Sequence, residues 1–249
     1  MSAPSFASTT GSTKECFAQT NCADCRLAGI CLPISLEFDD IDKLNNIIQR
    51  SRPYQKKEHI YYAGDTFKSV YAVRSGAVKT VKVTEDGIEQ ITGFHLPGEL
   101  IGIDGLASNI HTNAAIVLET SAICEIPFFR LEELSAKIPN LQRRFFQLMS
   151  KEIADEQQLI TMLSNNSAEE RLAALLLSIA VRNQNRGLSA AEFYLPMSRS
   201  DIANYLGLTI ETVSRIFTKL NKSGIIDLDK KHVTINDIDA LRNASISKT

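Results

Sequence analysis

A long helical signal without interruption is the sequence feature that most restricts how this chain can fold. Between Pro139 and residue 164 the sequence contains no glycine and no further proline, so one helix is predicted over residues 139–164. Alternating steps of three and four residues along it select one row of side chains: Phe146, Met149, Ile153, Glu156, Ile160 and Leu163. This row is apolar apart from one carboxylate, which is the pattern of a dimerisation helix in a coiled coil.

A second apolar row runs along the same helix and consists of Leu141, Phe145, Leu148, Leu159 and Met162. The simpler interpretation is an amphipathic helix that packs only on its own domain. Two rows require two packing partners, however, and both interpretations can hold at once. We therefore expect one row to pack within the chain and the other to form the interface of a homodimer.

The sequence before this helix predicts a small antiparallel β domain. Runs of β-branched and aromatic residues, separated by turns that contain glycine, predict short strands at residues 59–63, 70–74, 77–83, 88–96, 114–118 and 122–126. Their spacing is typical of a β-roll or barrel. A short amphipathic helix is predicted just before the strands, at residues 37–50, with Pro53 ending it.

The sequence after the long helix begins with an apolar helix, predicted at residues 168–183. Ser198 can then cap a short helix that runs through residue 206, because Asp201 stands three residues later in the position of a capping box. Gly207 supplies the permissive backbone for a tight bend after it. A second capped helix follows the bend, so this region is predicted to be a helix-turn-helix.

The second helix of this pair, over residues 210–222, carries the side chains that could read DNA. Two short strands, 225–228 and 233–235, follow it as a wing. The outward residues of the second helix are Thr209, Glu211, Thr212, Ser214, Arg215 and Lys219. Arginine can bind O6 and N7 of guanine, glutamate can accept from N4 of cytosine, and serine can reach either kind of base edge. The alternative is an ordinary helical pair with a solvated polar face, against which the wing argues.

The five cysteines are distributed unevenly along the chain. Cys16, Cys22, Cys25 and Cys31 are grouped near the N-terminus, and Cys124 stands alone in a predicted strand. Grouped thiols can hold a zinc ion or an iron–sulfur cluster, and spacing alone cannot choose between them. The lack of a second C-x2-C pair favours the cluster over a zinc ribbon. Cys124, taken by itself, is interpreted as a buried core cysteine.

Composition and charge exclude several classes of protein. No apolar run approaches the roughly 18 residues of a membrane span, and the Ser/Thr-rich start lacks the apolar centre of a signal peptide, which predicts a cytoplasmic protein. The net charge of -2 argues against a chain that coats nucleic acid without specificity. None of the four histidines has a Ser, Cys or carboxylate partner at a catalytic spacing, so we expect no enzyme activity.

Taken in order, the β-roll, the long helix and the winged helix-turn-helix resemble the cyclic AMP receptor protein superfamily of bacterial transcription regulators, nearly from end to end. Within that superfamily, the cysteines at 22, 25, 31 and 124 and the sequence Glu-Thr-Val-Ser-Arg at residues 211–215 resemble the FNR family, the fumarate and nitrate reduction regulators. The resemblance implies one oxygen-labile [4Fe-4S] cluster per subunit, held by Cys22, Cys25, Cys31 and Cys124. Cys16 is then the spare cysteine.

The same resemblance implies how the chain would act on DNA. Glu211, Ser214 and Arg215 would read a TTGAT half-site, and a dimer formed without oxygen would bind an inverted repeat to activate or repress transcription. Contact with RNA polymerase is also implied, and the predicted hairpin at residues 84–90 is a candidate surface for it.

One departure from the superfamily concerns its nucleotide ligand. Members that bind cyclic AMP carry an Arg-Ser/Thr-Ala phosphate clamp, and the corresponding residues 110–114 of this chain include no arginine. Without that charge a buried cyclic phosphate would lack its counter-ion. We therefore expect no cyclic nucleotide to bind.

The predicted architecture is α+β and has four parts. These are a flexible arm (1–20), an iron–sulfur sensor domain with an antiparallel β-roll (21–138), a dimerisation helix (139–164) and a winged helix-turn-helix DNA-binding domain (165–249). Two other functions remain open at this stage. One is a ligand-responsive regulator of the same fold whose cysteines hold structural zinc, and the other is a redox enzyme or electron carrier with an appended domain.

Overall fold

The structure of the chain, a computed structural model, describes residues 21–84 and 86–246. The predicted arm at residues 1–20, with Cys16, lies outside the described residues. The described part has two antiparallel β sheets, a long helix and a helix-turn-helix with a wing, in the predicted order. The predicted α+β architecture is therefore confirmed.

The N-terminal half is built from eight strands and a short helix before them. The helix is α1 (Phe38–Ile47), and the strands are β1 (Gln49–Arg50), β2 (His59–Tyr61), β3 (Ser69–Ser75), β4 (Val78–Val83), β5 (Glu89–His95), β6 (Leu100–Ile101), β7 (Ala114–Val117) and β8 (Ala122–Pro127). They form two four-stranded sheets with the orders β1-β8-β3-β6 and β2-β7-β4-β5. All neighbouring strands are antiparallel, as predicted for a β-roll.

The prediction of a helix over residues 37–50 was wrong at its end. The helix stops at Ile47, and Gln49 and Arg50 instead pair with Glu125 and Cys124 of β8. Pairing with the sheet satisfies backbone groups that a further helical turn would otherwise have satisfied. This change of structure brings Arg50 opposite Cys124, which matters for the site described below.

The long helix α3 (Pro139–Asn165) follows the short helix α2 (Phe128–Lys137), which was not predicted. At its start α3 buries Leu141 and Phe145 in a core shared with α1, α2 and the first sheet. Members of the other apolar row lie on its free face, where Phe146 is 58%, Ile153 55% and Ile160 64% exposed. Met149 of that row is partly buried against the same core, so the proposed dimer row is only partly free on the surface of the single chain.

The C-terminal part contains the predicted helix-turn-helix. Its elements are α4 (Ala168–Asn185), β9 (Glu192–Tyr194), α5 (Arg199–Leu206), α6 (Ile210–Lys222), β10 (Ile226–Asp229), β11 (His232–Ile235) and α7 (Ile238–Ser245). The capping box of Ser198 and Asp201 is present, and Gly207 adopts the left-handed backbone with φ of 64°. β9 and α7 were not predicted, and β9 adds a third strand to the wing in the order β10-β11-β9.

The β-roll and the helix-turn-helix share one buried core. Ile91 and Phe94 of β5 belong to the same apolar cluster as Leu172 and Leu176 of α4. Asn204 of α5 also bonds the edge of β5, because its Oδ1 accepts from the backbone N–H of Ile91 at 2.6 Å. The boundaries predicted for the two domains remain predictions, and the core between them is continuous.

Candidate cysteine site and DNA-reading helix

Four cysteines line one apolar pocket next to the first sheet. Cys22, Cys25 and Cys31 come from the loop before α1, and Cys124 comes from β8. All four are free thiols. The rest of the lining includes Leu27, Ala28, Leu32, Pro33, Ile48, Arg50, Ala72, Val73, Arg74 and Ile126. The fold therefore brings together the four predicted ligands that lie within the described residues.

Short-range turns and several contacts with distant residues hold the cysteine loop, residues 21–35, in place. Within it the N–H of Cys31 donates to the carbonyl of Leu27 at 2.9 Å. Leu32, only 1% exposed, anchors the loop in the core with α1 and α3. At the start of the loop the N–H of Cys22 donates to Asn45 Oδ1 at 3.1 Å. The start and the end of the loop that carries these cysteines are thus held against α1 and the core.

Burial governs the acidity of these thiols. It raises the pKa of Cys31 to about 12 and that of Cys22 to about 11, with the nearby Arg50 charge opposing the shift at Cys22. Burial also raises the pKa of Cys124, again opposed by Arg50. A metal or cluster binds thiolates, so it must displace protons from these groups when it binds.

The four thiols and the groups around them bear on the two kinds of metal site that the sequence left open. A single zinc ion needs its ligands 2.0–2.3 Å away in a tetrahedron. The described residues hold no group of three or more His, Cys, Asp or Glu side chains placed to hold a metal ion of any kind. A [4Fe-4S] cluster takes its thiolates on separate irons. The buried Nε of Arg50 has no hydrogen-bond partner in the described part of the chain and borders the cysteines, so a sulfur acceptor would satisfy it.

The second helix of the helix-turn-helix, α6, has one buried and one exposed face. Val213, Ile216, Phe217 and Leu220 are buried. On the other face Glu211, Ser214, Arg215 and Lys219 are exposed. These four predicted DNA-reading side chains are therefore accessible on one side of this helix, and Thr209 at its start is exposed as well.

Three of the six predicted DNA-reading residues, Thr209, Thr212 and Lys219, have contacts within the chain. Thr209 caps α6, because its Oγ1 accepts from the N–H of Thr212 at 3.2 Å, and its hydroxyl donates to Thr212 Oγ1 at 3.0 Å. Lys219 forms an ion pair with Glu169 of α4. Glu211, Ser214 and Arg215 are left as the exposed side chains at the N-terminal half of the helix.

Comparison with known proteins gives the family of the chain. Residues 51–137 match the cyclic nucleotide-binding domain, and residues 170–244 match the Crp-like helix-turn-helix domain. The chain is 50% identical over 219 residues to the transcriptional activator protein FnrA of Stutzerimonas stutzeri, covering 88% of this chain and 90% of that protein. The chain belongs to the FNR/Anr family of transcription regulators.

Two further comparisons agree with the FNR/Anr assignment. The chain is 48% identical over 221 residues to the fumarate and nitrate reduction regulatory protein of Escherichia coli strain K12, covering 89% of this chain and 88% of that protein. Its fold is similar to the structure of FixK2 from Bradyrhizobium japonicum, with a TM-score of 0.73 and 30% identity over 82% of this chain and all of that one. These FNR/Anr relatives are named as transcription regulators and not as enzymes.

In this FNR-type chain the backbone of the segment 110–114, compared above with a phosphate clamp, makes internal contacts. The backbone N–H groups of Thr112 and Asn113 donate to Asp104 Oδ2 at 2.7 and 2.8 Å. His111 is buried, stacks on Tyr61 and lies 3.3 Å from Asp104 Oδ1. The Asp104 carboxylate therefore already binds these amides, and the absence of cyclic nucleotide binding stays a prediction.

Sequence reasoning missed four polar residues that contact the cysteine loop, namely Asn45, Arg50, Asn140 and Arg144. No local signal marks them, because each lies far from its partner along the chain.

Among the described residues no helix is long and apolar enough to cross a membrane.

Proposed function

We propose that this chain is an oxygen-responsive transcription regulator that holds one [4Fe-4S] cluster per subunit on Cys22, Cys25, Cys31 and Cys124. The observation that carries the proposal is the meeting of all four thiols at one apolar pocket. A bound cluster supplies redox chemistry that responds to oxygen. The protein's own residues bind it, exclude water from it and connect it to α3.

The cysteine loop and the proposed dimer interface are close in the structure. Arg144 of α3 donates to the carbonyl oxygens of Ile30 and Cys31, and the exposed row on α3 begins at Phe146. A change in the loop would therefore act on the helix that we propose to dimerise, along Phe146, Met149, Ile153, Glu156, Ile160 and Leu163. We propose that the dimer forms when the cluster is intact.

The proposed dimer would present two copies of α6 to successive major grooves. Half-sites would lie about one helical turn, roughly 34 Å, apart in an inverted repeat of TTGAT type. We propose Arg215 for guanine, Glu211 for cytosine and Ser214 for either base edge. Thr209, Thr212 and Lys219 complete the proposed surface, and RNA polymerase is the proposed partner for activation.

Anaerobic purification tests the cofactor directly. We expect a brown protein with about four irons and four sulfides per subunit, as a [4Fe-4S] cluster requires, and a visible absorbance that is lost in air. A colourless protein with zinc and without sulfide would instead show the same fold with a structural zinc site.

A further inference from the structure

Arg50 lies between the two elements that carry the cysteines. In β1 it stands directly opposite Cys124 of β8. Its Nη2 donates to Cys22 Sγ at 3.7 Å, on the loop side. Its Nε is buried and has no hydrogen-bond partner in the described part of the chain. One guanidinium therefore faces a loop cysteine and the strand cysteine at once.

The positive charge of Arg50 is not neutralised by a carboxylate. Within residues 21–84 and 86–246, each ion pair involves other residues. Removal of a charge from water is costly unless the charge is paired. An anion bound in the apolar pocket that the four thiols line would pair with the charge of this guanidinium.

Asn45 of α1 fixes the position of Arg50. The Oδ1 of Asn45 accepts from Arg50 Nη2 at 2.7 Å and from the N–H of Cys22 at 3.1 Å. The same oxygen thus sets the distance between the guanidinium and the start of the cysteine loop. Arg50 is held by this contact rather than free to turn towards solvent.

We propose that Arg50 is the cationic hydrogen-bond donor to the thiolates of the cluster, and that Asn45 positions it. This inference rests on the proposed function. Four thiolates and an iron–sulfur core together form an anion, so a fixed guanidinium stabilises it by charge and by N–H···S bonds. Residues that act on ligands in this way change metal affinity by about 10–100-fold when they are replaced.

The test is anaerobic reconstitution of Arg50→Gln and Arg50→Lys in the full chain, with iron and sulfide titrated in. We expect Arg50→Gln to need about tenfold more iron for half-loading. Its cluster should show a lower reduction potential at an electrode, because the lost positive charge no longer favours the more negative state. Arg50→Lys keeps the positive charge, so the reduction potential of its cluster should lie close to that of the unsubstituted chain. A merely structural role would give no recovery of this kind.

Arg52→Gln is the matched control, since Arg52 is an exposed arginine two residues away that pairs with Glu58 at 2.9 Å. If Arg50→Gln does not fold, Asn45→Ala serves instead, and it should shift the potential in the same direction by a smaller amount. The role of Arg50 would be overturned if Arg50→Gln had the same iron loading and the same reduction potential as the unsubstituted chain. Where Arg50→Gln is unfolded, the same result in Asn45→Ala would overturn it. Failure of the unsubstituted chain itself to bind iron and sulfide would overturn the proposed function instead.

Discussion

Arg144 on the long helix donates from its Nε to the carbonyl oxygen of Cys31 at 3.1 Å. Its Nη2 also donates to the carbonyl of Ile30. The same arginine is partly buried, which lowers its pKa, and Cys31 opposes that shift. One side chain of α3 therefore binds the backbone of a proposed ligand residue, and this contact is a direct link between the cysteine loop and the proposed dimer interface.

Replacement of Arg144 by Gln should separate cluster binding from dimerisation. Hydrogen bonds to a charged group contribute about 1.5–3 kcal/mol each, so the loss of even one of the two should weaken the cluster-dependent dimer by about tenfold or more. Iron and sulfide content should stay near that of the unsubstituted chain. Sedimentation under anaerobic conditions measures the dimer, with Arg130→Gln on the exposed side of α2 as control. Unaltered dimerisation in Arg144→Gln would remove Arg144 from the link.

Replacement of any one of Cys22, Cys25, Cys31 or Cys124 by Ala should abolish cluster retention, because each iron of the cluster needs its own thiolate. Cys16→Ala should retain the cluster. Iron and sulfide analysis after anaerobic purification measures both results. Full iron content in Cys124→Ala would show that the strand cysteine is a core residue only.

On the DNA-reading helix, Arg215→Ala should cost about 1–3 kcal/mol of binding free energy and relax the preference at one guanine. Lys222→Ala should weaken binding to all sequences alike, because a lysine at the end of α6 would contact phosphate. Fluorescence anisotropy with the inverted repeat and with a repeat changed at that guanine separates the two effects. An equal loss on both DNAs for Arg215→Ala would place Arg215 on phosphate as well.

Glu156 is the one charged member of the proposed dimer row, and it is exposed on the single chain. In a parallel dimer it would stand beside its own copy, where two carboxylates at an effective dielectric constant near 20 repel by a few kcal/mol. Glu156→Ala should therefore allow the aerobic, cluster-free chain to dimerise and to bind its inverted repeat. An unchanged monomeric mass in sedimentation would show that Glu156 points to solvent at the rim.

Glu152 of α3 predicts a pH dependence of stability. Burial raises its pKa to about 7, and the charges of Glu99, Glu156 and Asp155 add to the shift while Lys151 opposes it. The folded state keeps the proton of Glu152 up to a higher pH than the unfolded chain does. The free energy of unfolding is therefore larger below about pH 4.5, and this extra stability is lost as the pH rises to about 7. Glu152→Gln should stabilise the chain more at pH 8 than at pH 5 in urea unfolding. Exposed Glu132→Gln on α2 is the control, and an equal effect of Glu152→Gln at both pH values would contradict the shift.

Structural elements that are determined by residues close together in the sequence could be predicted from the sequence. The span of α3, the capping box of Ser198 and Asp201 and the bend at Gly207 were predicted and are present. Each is set by side chains within about four positions of the backbone groups that they satisfy. For the same reason the exposed face of α6 was predicted from its periodicity alone.

Contacts between distant parts of the chain were decided only by the tertiary structure. Arg50 meets Cys22 from 28 positions away, and Arg144 meets Cys31 from 113 positions away. The predicted end of α1 was wrong for a related reason, since Arg50 pairs with β8 instead of extending the helix. The local sequence pattern does not determine which strand pairs with a given segment, because strand pairing depends on the packing of the whole core. The four cysteines could therefore be predicted as a set from the family resemblance, whereas the arginines around them became visible only once the loop, the sheet and α3 were packed together.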